Sequence, residues 1–177
     1  PSLLPSLEDP SRRLALATNR LGSLSDSSST VQEILLLSLS ELPQEVQKAF
    51  YELGAFASKP ERFTLEAALM IATCQINDIA ILIDSNLVEI DSEDWLVIHP
   101  VLGDLARTST TRESILRHRN YYLWWIAGSD IEDCDTIEAA YGQITWAWSN
   151  MVAESPENPT IFLFCEMLSH FQYARAK

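Results

Sequence analysis

Phe63-Thr-Leu-Glu-Ala-Ala-Leu-Met-Ile-Ala-Thr-Cys-Gln-Ile-Asn-Asp-Ile-Ala-Ile-Leu-Ile-Asp-Ser-Asn-Leu-Val-Glu-Ile-Asp-Ser-Glu-Asp-Trp-Leu-Val-Ile-His-Pro-Val-Leu-Gly-Asp-Leu-Ala106 is the stretch whose reading decides the fold. Thr64 reads as the N-cap of a helix that turns Ala67, Ala68 and Ile71 inward. Asn77 reads as the cap of a second helix, with Ile79, Leu82 and Ile83 facing the core. Leu87–Ile90 and Trp95–Ile98 are short runs rich in β-branched residues, and Asp91-Ser-Glu-Asp94 between them predicts a hairpin. His99-Pro100 then opens a helix bearing Val101, Leu102 and Leu105. The whole stretch holds no lysine or arginine, yet carries Glu66, Asp78, Asp84, Glu89, Asp91, Glu93, Asp94 and Asp104.

A helix-turn-helix followed by a β wing is the outline of a winged helix, a fold usually associated with reading DNA. Duplex binding draws most of its affinity from cations that neutralise phosphates. An acidic winged helix is therefore expected to bind protein rather than DNA. The whole-chain charge of −13 agrees, disfavouring both nucleic acid and anionic membrane as partners.

Working outward, Pro43 starts a helix with Val46, Ala49, Phe50 and Leu53 at helical spacing. Before it, Thr30-Val-Gln-Glu33 reads as a capping box for a helix carrying Ile34, Leu35 and Leu39. Ahead of that, Asp9-Pro10 opens a helix striped by Leu14, Ala17 and Leu21 and stopped by Gly22. Ser23–Ser29 is a polar linker. After Ala106, Thr110-Thr-Arg-Glu113 reads as a further capping box, its helix running to Gly128 with Ile115, Tyr122, Trp125 and Ile126 apolar. Asp133 or Asp135 opens a helix with Ile137, Tyr141, Ile144, Trp148 and Met151 on one face. Asn158-Pro159 opens a last one with Phe164, Leu168 and Phe171. The expected fold is thus mainly α, a winged helix with its small hairpin followed by antiparallel helices of the kind that begin an α-solenoid repeat array. The expected division is 1–29 linker helix and linker, 30–109 winged helix, and 110–177 helical repeats.

The composition suits a globular domain: 177 residues, 47% hydrophobic, 21% charged, with only five glycines. No apolar run approaches the ~20 residues of a membrane span. Cys74, Cys134 and Cys165 are widely spaced, with no C-x-x-C pair, and are expected to be buried free thiols in a reducing, cytoplasmic setting. The chain opens at Pro1 without methionine and ends without a polar capping helix, so it reads as an excerpt.

The order of segments resembles the region following the nucleotide-binding core in signal-transducing NTPases of the NB-ARC branch of the STAND class. Val31–Leu42, followed by Pro43 and Gln47–Phe56, resembles that family's opening helix pair. Phe63–Ala68 and Ile79–Val88 resemble its next two helices and first wing strand. Ile98–Ala106 resembles its histidine-bearing end, and Arg117–Tyr122 resembles the start of the tetratricopeptide-like arrays of bacterial members. The resemblance implies a regulatory module: the winged helix packs intramolecularly on a nucleotide-binding domain and holds its ADP state, while helical repeats sense a protein partner. It also implies that His99 is a candidate sensor of the ADP phosphate, since a ring N–H can donate to a phosphate oxygen. Pro100 stands where the plant branch commonly has aspartate.

No G-x-x-x-x-G-K-[ST] loop occurs, so the chain is expected to be neither an enzyme nor a carrier of its own cofactor, with ATP or ADP belonging to the parent protein. His118 and His170 read as packing or surface residues. Asp91, Glu93 and Asp94 lack the glycine and terminal glutamate of a calcium loop and read as a solvated turn. Most of Tyr121, Tyr122, Trp124, Trp125, Trp146 and Trp148 read as inter-helix core. Adjacent residues lie about 100° apart on a helix, so Trp124 and Trp125 cannot both face one seam. Trp124, Trp125, Trp146 and Trp148 are accordingly the interaction candidates. Two competing functions are a DNA-binding winged-helix regulator, against which the charge pattern argues, and a free-standing helical-repeat adaptor.

Overall fold

The computed structural model describes residues 31–92, 94–128 and 134–175. The expected Asp9–Gly22 helix, the serine linker and the Thr30 cap lie outside them. Eight α-helices and one three-stranded antiparallel sheet make up the described chain, which is mainly α.

Helix α1 (Val31–Ser40) and α2 (Gln44–Glu52) are joined by a tight turn. Gln47 folds back over the turn, donating through Nε2 to the Leu42 carbonyl at 2.8 Å. Pro43 occupies the N-cap of α2 in extended conformation. Val46, Ala49 and Phe50 are buried on α2, and Leu53 in the 3-10 turn Leu53–Ala55 continues their stripe. Helix α1 departs from expectation. Leu39 alone of its apolar side chains from Ile34 onward is fully buried, whereas Ile34 and Leu37 are exposed.

Thr64 closes strand β1 (Phe63–Thr64), a strand not expected from the sequence, and caps α3 (Leu65–Ala72) by accepting from the Ala67 N–H at 3.1 Å. One hydroxyl thus ends a strand and starts a helix. Ala67, Ala68 and Ile71 are wholly buried, which lets α3 approach its neighbours closely. Thr73, in the left-handed region at φ 50°, ends α3, and the chain then turns by 111° into α4 (Ile76–Asp84). Gln75 rather than Asn77 holds the N-cap position, because the Asp78 carboxylate accepts from the Gln75 N–H at 2.8 Å.

The hairpin comprises β2 (Glu89–Ser92) and β3 (Trp95–Val97), shifted from the expected Leu87–Ile90 and Trp95–Ile98. Leu87 and Val88 are instead buried, their N–H groups bonded to the last free carbonyl region of α4 at Leu82. The sheet order is β1-β3-β2, with Phe63 opposite Leu96 and Ile90 opposite Leu96 on the other side. The pairing register shifts between Ile90 and Ser92, a β-bulge-like irregularity in β2.

Helix α5 (Pro100–Arg107) leads into α6 (Arg112–Gly128), α7 (Cys134–Glu154) and α8 (Thr160–Arg175). Thr111, not Thr110, caps α6 by accepting from the Ser114 N–H at 3.2 Å. Thr110 is occupied elsewhere, donating to the Tyr51 and Ala106 carbonyls. Asn158 caps the entry to α8, accepting from the Thr160 N–H at 2.9 Å. A single contiguous apolar core runs from Leu39 through Phe50, Phe56, Ile98 and Tyr122 to Phe164 and Phe171. No single helix among the described residues is long and apolar enough to cross a membrane.

Candidate functional site

His99 sits at the junction of β3 and α5, exposed and at the N-cap of α5. Its Nδ1 accepts from the Val101 N–H at 3.3 Å. A neutral ring whose Nδ1 accepts carries its proton on Nε2. The cap therefore leaves an exposed N–H donor at the start of a helix, chemically suited to an anionic oxygen. Pro100 supplies the first helical residue without needing an acceptor for its missing N–H.

The helix–turn–helix itself, within the cation-free stretch 63–106, contributes no basic side chain to its surface. The outer face of α4 offers Ile76, Asn77, Ala80 and Asp84, all exposed. Asp78, the other acid on this helix, is engaged with the Gln75 N–H. Acids of the hairpin meet basic residues just outside the cation-free stretch: Lys59 pairs with Glu89 at 2.7 Å and Arg62 with Asp91 at 3.4 Å. Arg62 also stacks over Trp95 at 4.6 Å. These pairs hold the hairpin down, and being half exposed each contributes at most ~1 kcal/mol.

The four candidate tryptophans part company. Trp124 is 76% exposed, while Trp125, Trp146 and Trp148 are half-buried. Trp146 donates from Nε1 to the Ala55 carbonyl at 3.0 Å and lies under the Arg107 guanidinium at 5.2 Å. It is a brace between α7 and the 3-10 turn. Trp148 buries its Nε1 without a hydrogen-bond partner among the described residues. Trp124 and Trp125 line an open groove between α3 and α6, separate from His99.

Two buried polar centres escaped the sequence reading. Gln143 is fully buried on α7 and its carboxamide clamps Ala57 twice: Oε1 accepts from the N–H at 2.9 Å and Nε2 donates to the carbonyl at 3.0 Å. The same Oε1 lies 3.2 Å from Nε2 of His118 on α6. Burial pushes His118 down to about 4, against the opposing Gln143 hydrogen bond, so at neutral pH the ring is uncharged and donates. Phe56 meets the His118 ring edge-on at 5.1 Å. The second centre is Glu52 at the end of α2, 3% exposed, which accepts from Thr111 at 2.7 Å and from Arg117 at 3.3 Å. Arg117 also donates to the Ile71 carbonyl at 2.7 Å. Together the two centres bind α6 and α7 rigidly to the helices before them. A signal existed for the first: Gln143 falls on the Ala140–Ala147 stripe of α7, a polar residue at an apolar position. Nothing in the local sequence marks Glu52.

Cys165 is exposed and Cys74 half-buried, correcting the expectation of buried thiols; the Cys134 and His170 side chains lie outside the described residues. Burial, then the Asp78 carboxylate, raises the Cys74 thiol to about 11, so it stays protonated and unreactive at neutral pH. Among the described residues no three His, Cys, Asp or Glu side chains converge as metal ligands would. No family model, no curated protein and no solved structure matches the chain.

Proposed function

We propose that the chain is the non-catalytic regulatory segment of a signal-transducing NTPase of the NB-ARC branch of the STAND class, acting in the cytoplasm. In this reading residues 30–109 are a winged helix that docks on a nucleotide-binding domain and biases its ADP and ATP states. Residues 110–177 are the opening tetratricopeptide-like helices, through which a protein partner acts.

The observation that carries this reading is a helix–turn–helix bent through 111°, followed by a hairpin, whose outer helix presents Ile76, Asn77, Ala80 and Asp84 and no cation. Helices meeting at about 90–120° across a short turn are the geometry of DNA readers. Such a surface repels a phosphate backbone and suits a polypeptide. The exposed donor on His99 supports a second element of the reading, contact with a bound ADP phosphate that ends on nucleotide exchange. The clamps at Gln143 and Glu52 support a third: a partner that displaces α6 or α7 would pull on the helices that carry the docking face.

The test is ADP retention by the full-length natural protein. His99→Ala removes one hydrogen bond to phosphate and should speed ADP release roughly three- to tenfold. The isolated chain should bind neither ATP nor ADP in calorimetry. Release at the wild-type rate, micromolar nucleotide binding by the isolated chain, or duplex DNA binding at physiological salt would each overturn the proposal.

A further inference from the structure

The groove between α3 and α6 has a volume of about 540 Å³, and Met70, Tyr121, Trp124 and Trp125 supply its apolar surface. Met70 and Trp124 are 57% and 76% exposed, an unusual cost for side chains of this size unless something covers them. The wall behind them is fixed. The Tyr121 ring stands edge-on to the buried Tyr122 at 5.1 Å.

Two charged side chains border the groove, Glu66 and Arg117. The Arg117 charge is matched by the buried Glu52 carboxylate, and its Nε is bound to the Ile71 carbonyl. Glu66 is exposed on the first turn of α3, with no cation paired to it among the described residues. It lies close to the aromatic wall: burial and then the Glu66 charge hold the Tyr121 phenol above its ordinary pKa, against the Thr64 hydrogen bond. The groove thus combines indole and phenol faces, a flexible thioether and one unmatched carboxylate. Aromatic faces and a carboxylate both attract a cation, and the ring edges and Met70 accept the methylenes that carry it. The chain's net charge of −13 draws basic partners toward it. A volume of this size exceeds one side chain, so its occupant brings apolar neighbours as well.

We propose that this groove docks a basic, apolar segment of a partner protein, with a lysine or arginine between Trp124 and Tyr121 paired to Glu66 and its apolar neighbours on Met70 and Trp125. The proposal rests on the reading of α6 onward as the partner-sensing part, and gives that partner's contacting segment a chemistry.

The test titrates the chain, at physiological ionic strength, with an amphipathic leucine–lysine peptide and with its glutamine-for-lysine counterpart, following calorimetry and tryptophan emission. The lysine peptide should bind about tenfold more tightly than the glutamine peptide. Glu66→Gln and Trp124→Ala should each weaken it roughly three- to tenfold with thermal melting unchanged. Asp84→Asn, an exposed carboxylate away from the groove, should leave it unaltered. Equal affinity for the two peptides, no binding, or equal effects of Glu66→Gln and Asp84→Asn would overturn the proposal, the last because diffuse charge attraction would then explain the binding. ADP release from the full-length protein does not involve this groove, so either experiment can fail without the other.

Discussion

Replacing Gln143 with leucine isolates the polar clamp between α7 and the segment after α2. The two side chains are close in volume, so little cavity opens. What is lost is hydrogen bonding: the Ala57 N–H at 2.9 Å, the Ala57 carbonyl at 3.0 Å and His118 Nε2 at 3.2 Å all lose the same partner. Gln143 and His118 are 0% and 1% exposed, so water does not replace that partner without opening the core. A stranded buried group costs about 1–3 kcal/mol, giving roughly 3–6 kcal/mol for three groups when partial relaxation is allowed. Leucine spares the desolvation of the carboxamide itself, which offsets about 1–2 kcal/mol. The net expectation is a loss of roughly 2–4 kcal/mol, a large share of the ~5–15 kcal/mol stability of a typical domain. Urea unfolding followed by far-ultraviolet circular dichroism measures it, with the denaturant slope as a check that the same surface unfolds. A loss under about 1 kcal/mol would mean that these groups find other partners and that the clamp does not couple the helices.

Acid should destabilise the fold partly through His118. Its folded pKa of about 4 lies below the ordinary 6.5, so between those values the unfolded chain binds the extra proton. Stability is therefore full above pH 6.5 and falls by roughly 3 kcal/mol as pH drops toward 4; His118→Gln should flatten that part of the profile, and an unchanged slope would refute the assignment. Gly54→Ala should destabilise by about 2–3 kcal/mol, because a Cβ there would lie 2.7 Å from the backbone of Ala106 and Arg107, which α5 holds in place. A melting temperature equal to wild type would show that α5 can slide. Trp146→Phe should cost about 1–2 kcal/mol by leaving the Ala55 carbonyl without its donor, while Trp124→Ala should change stability by less than ~0.5 kcal/mol. A reversal of that order would contradict the placement of the two rings.

Local chemistry made much of the architecture legible. Thr64 and Asn158 announce their helices through capping bonds that involve only near neighbours. Alanine and isoleucine at 67, 68, 71 and 79 mark the buried faces by period alone, since burial follows helix geometry once a core exists. Where expectation slipped, a distant partner was responsible. Leu87 and Val88 look like strand residues, yet the end of α4 takes their N–H groups and the core takes their side chains. Strand β1 has two residues, and only the pairing of Phe63 with Leu96 makes it a strand. Thr110 has the composition of a cap, but bonds across 59 residues to Tyr51 instead.

The candidate sites divide in the same way. Composition alone determined that the helix–turn–helix would present no cation, because a side chain absent from residues 63–106 cannot be supplied by folding. The proline after His99 likewise determined where a helix begins. Tertiary structure decided that Trp124 on α6 is exposed while Trp146 on α7 is a brace, since which face of each helix is covered depends on what packs against it. It also decided that Glu66 borders an aromatic groove while Arg117, beside it, is matched by Glu52. Such facts depend on contacts between elements far apart along the chain, and no local pattern of residues encodes the distance between them.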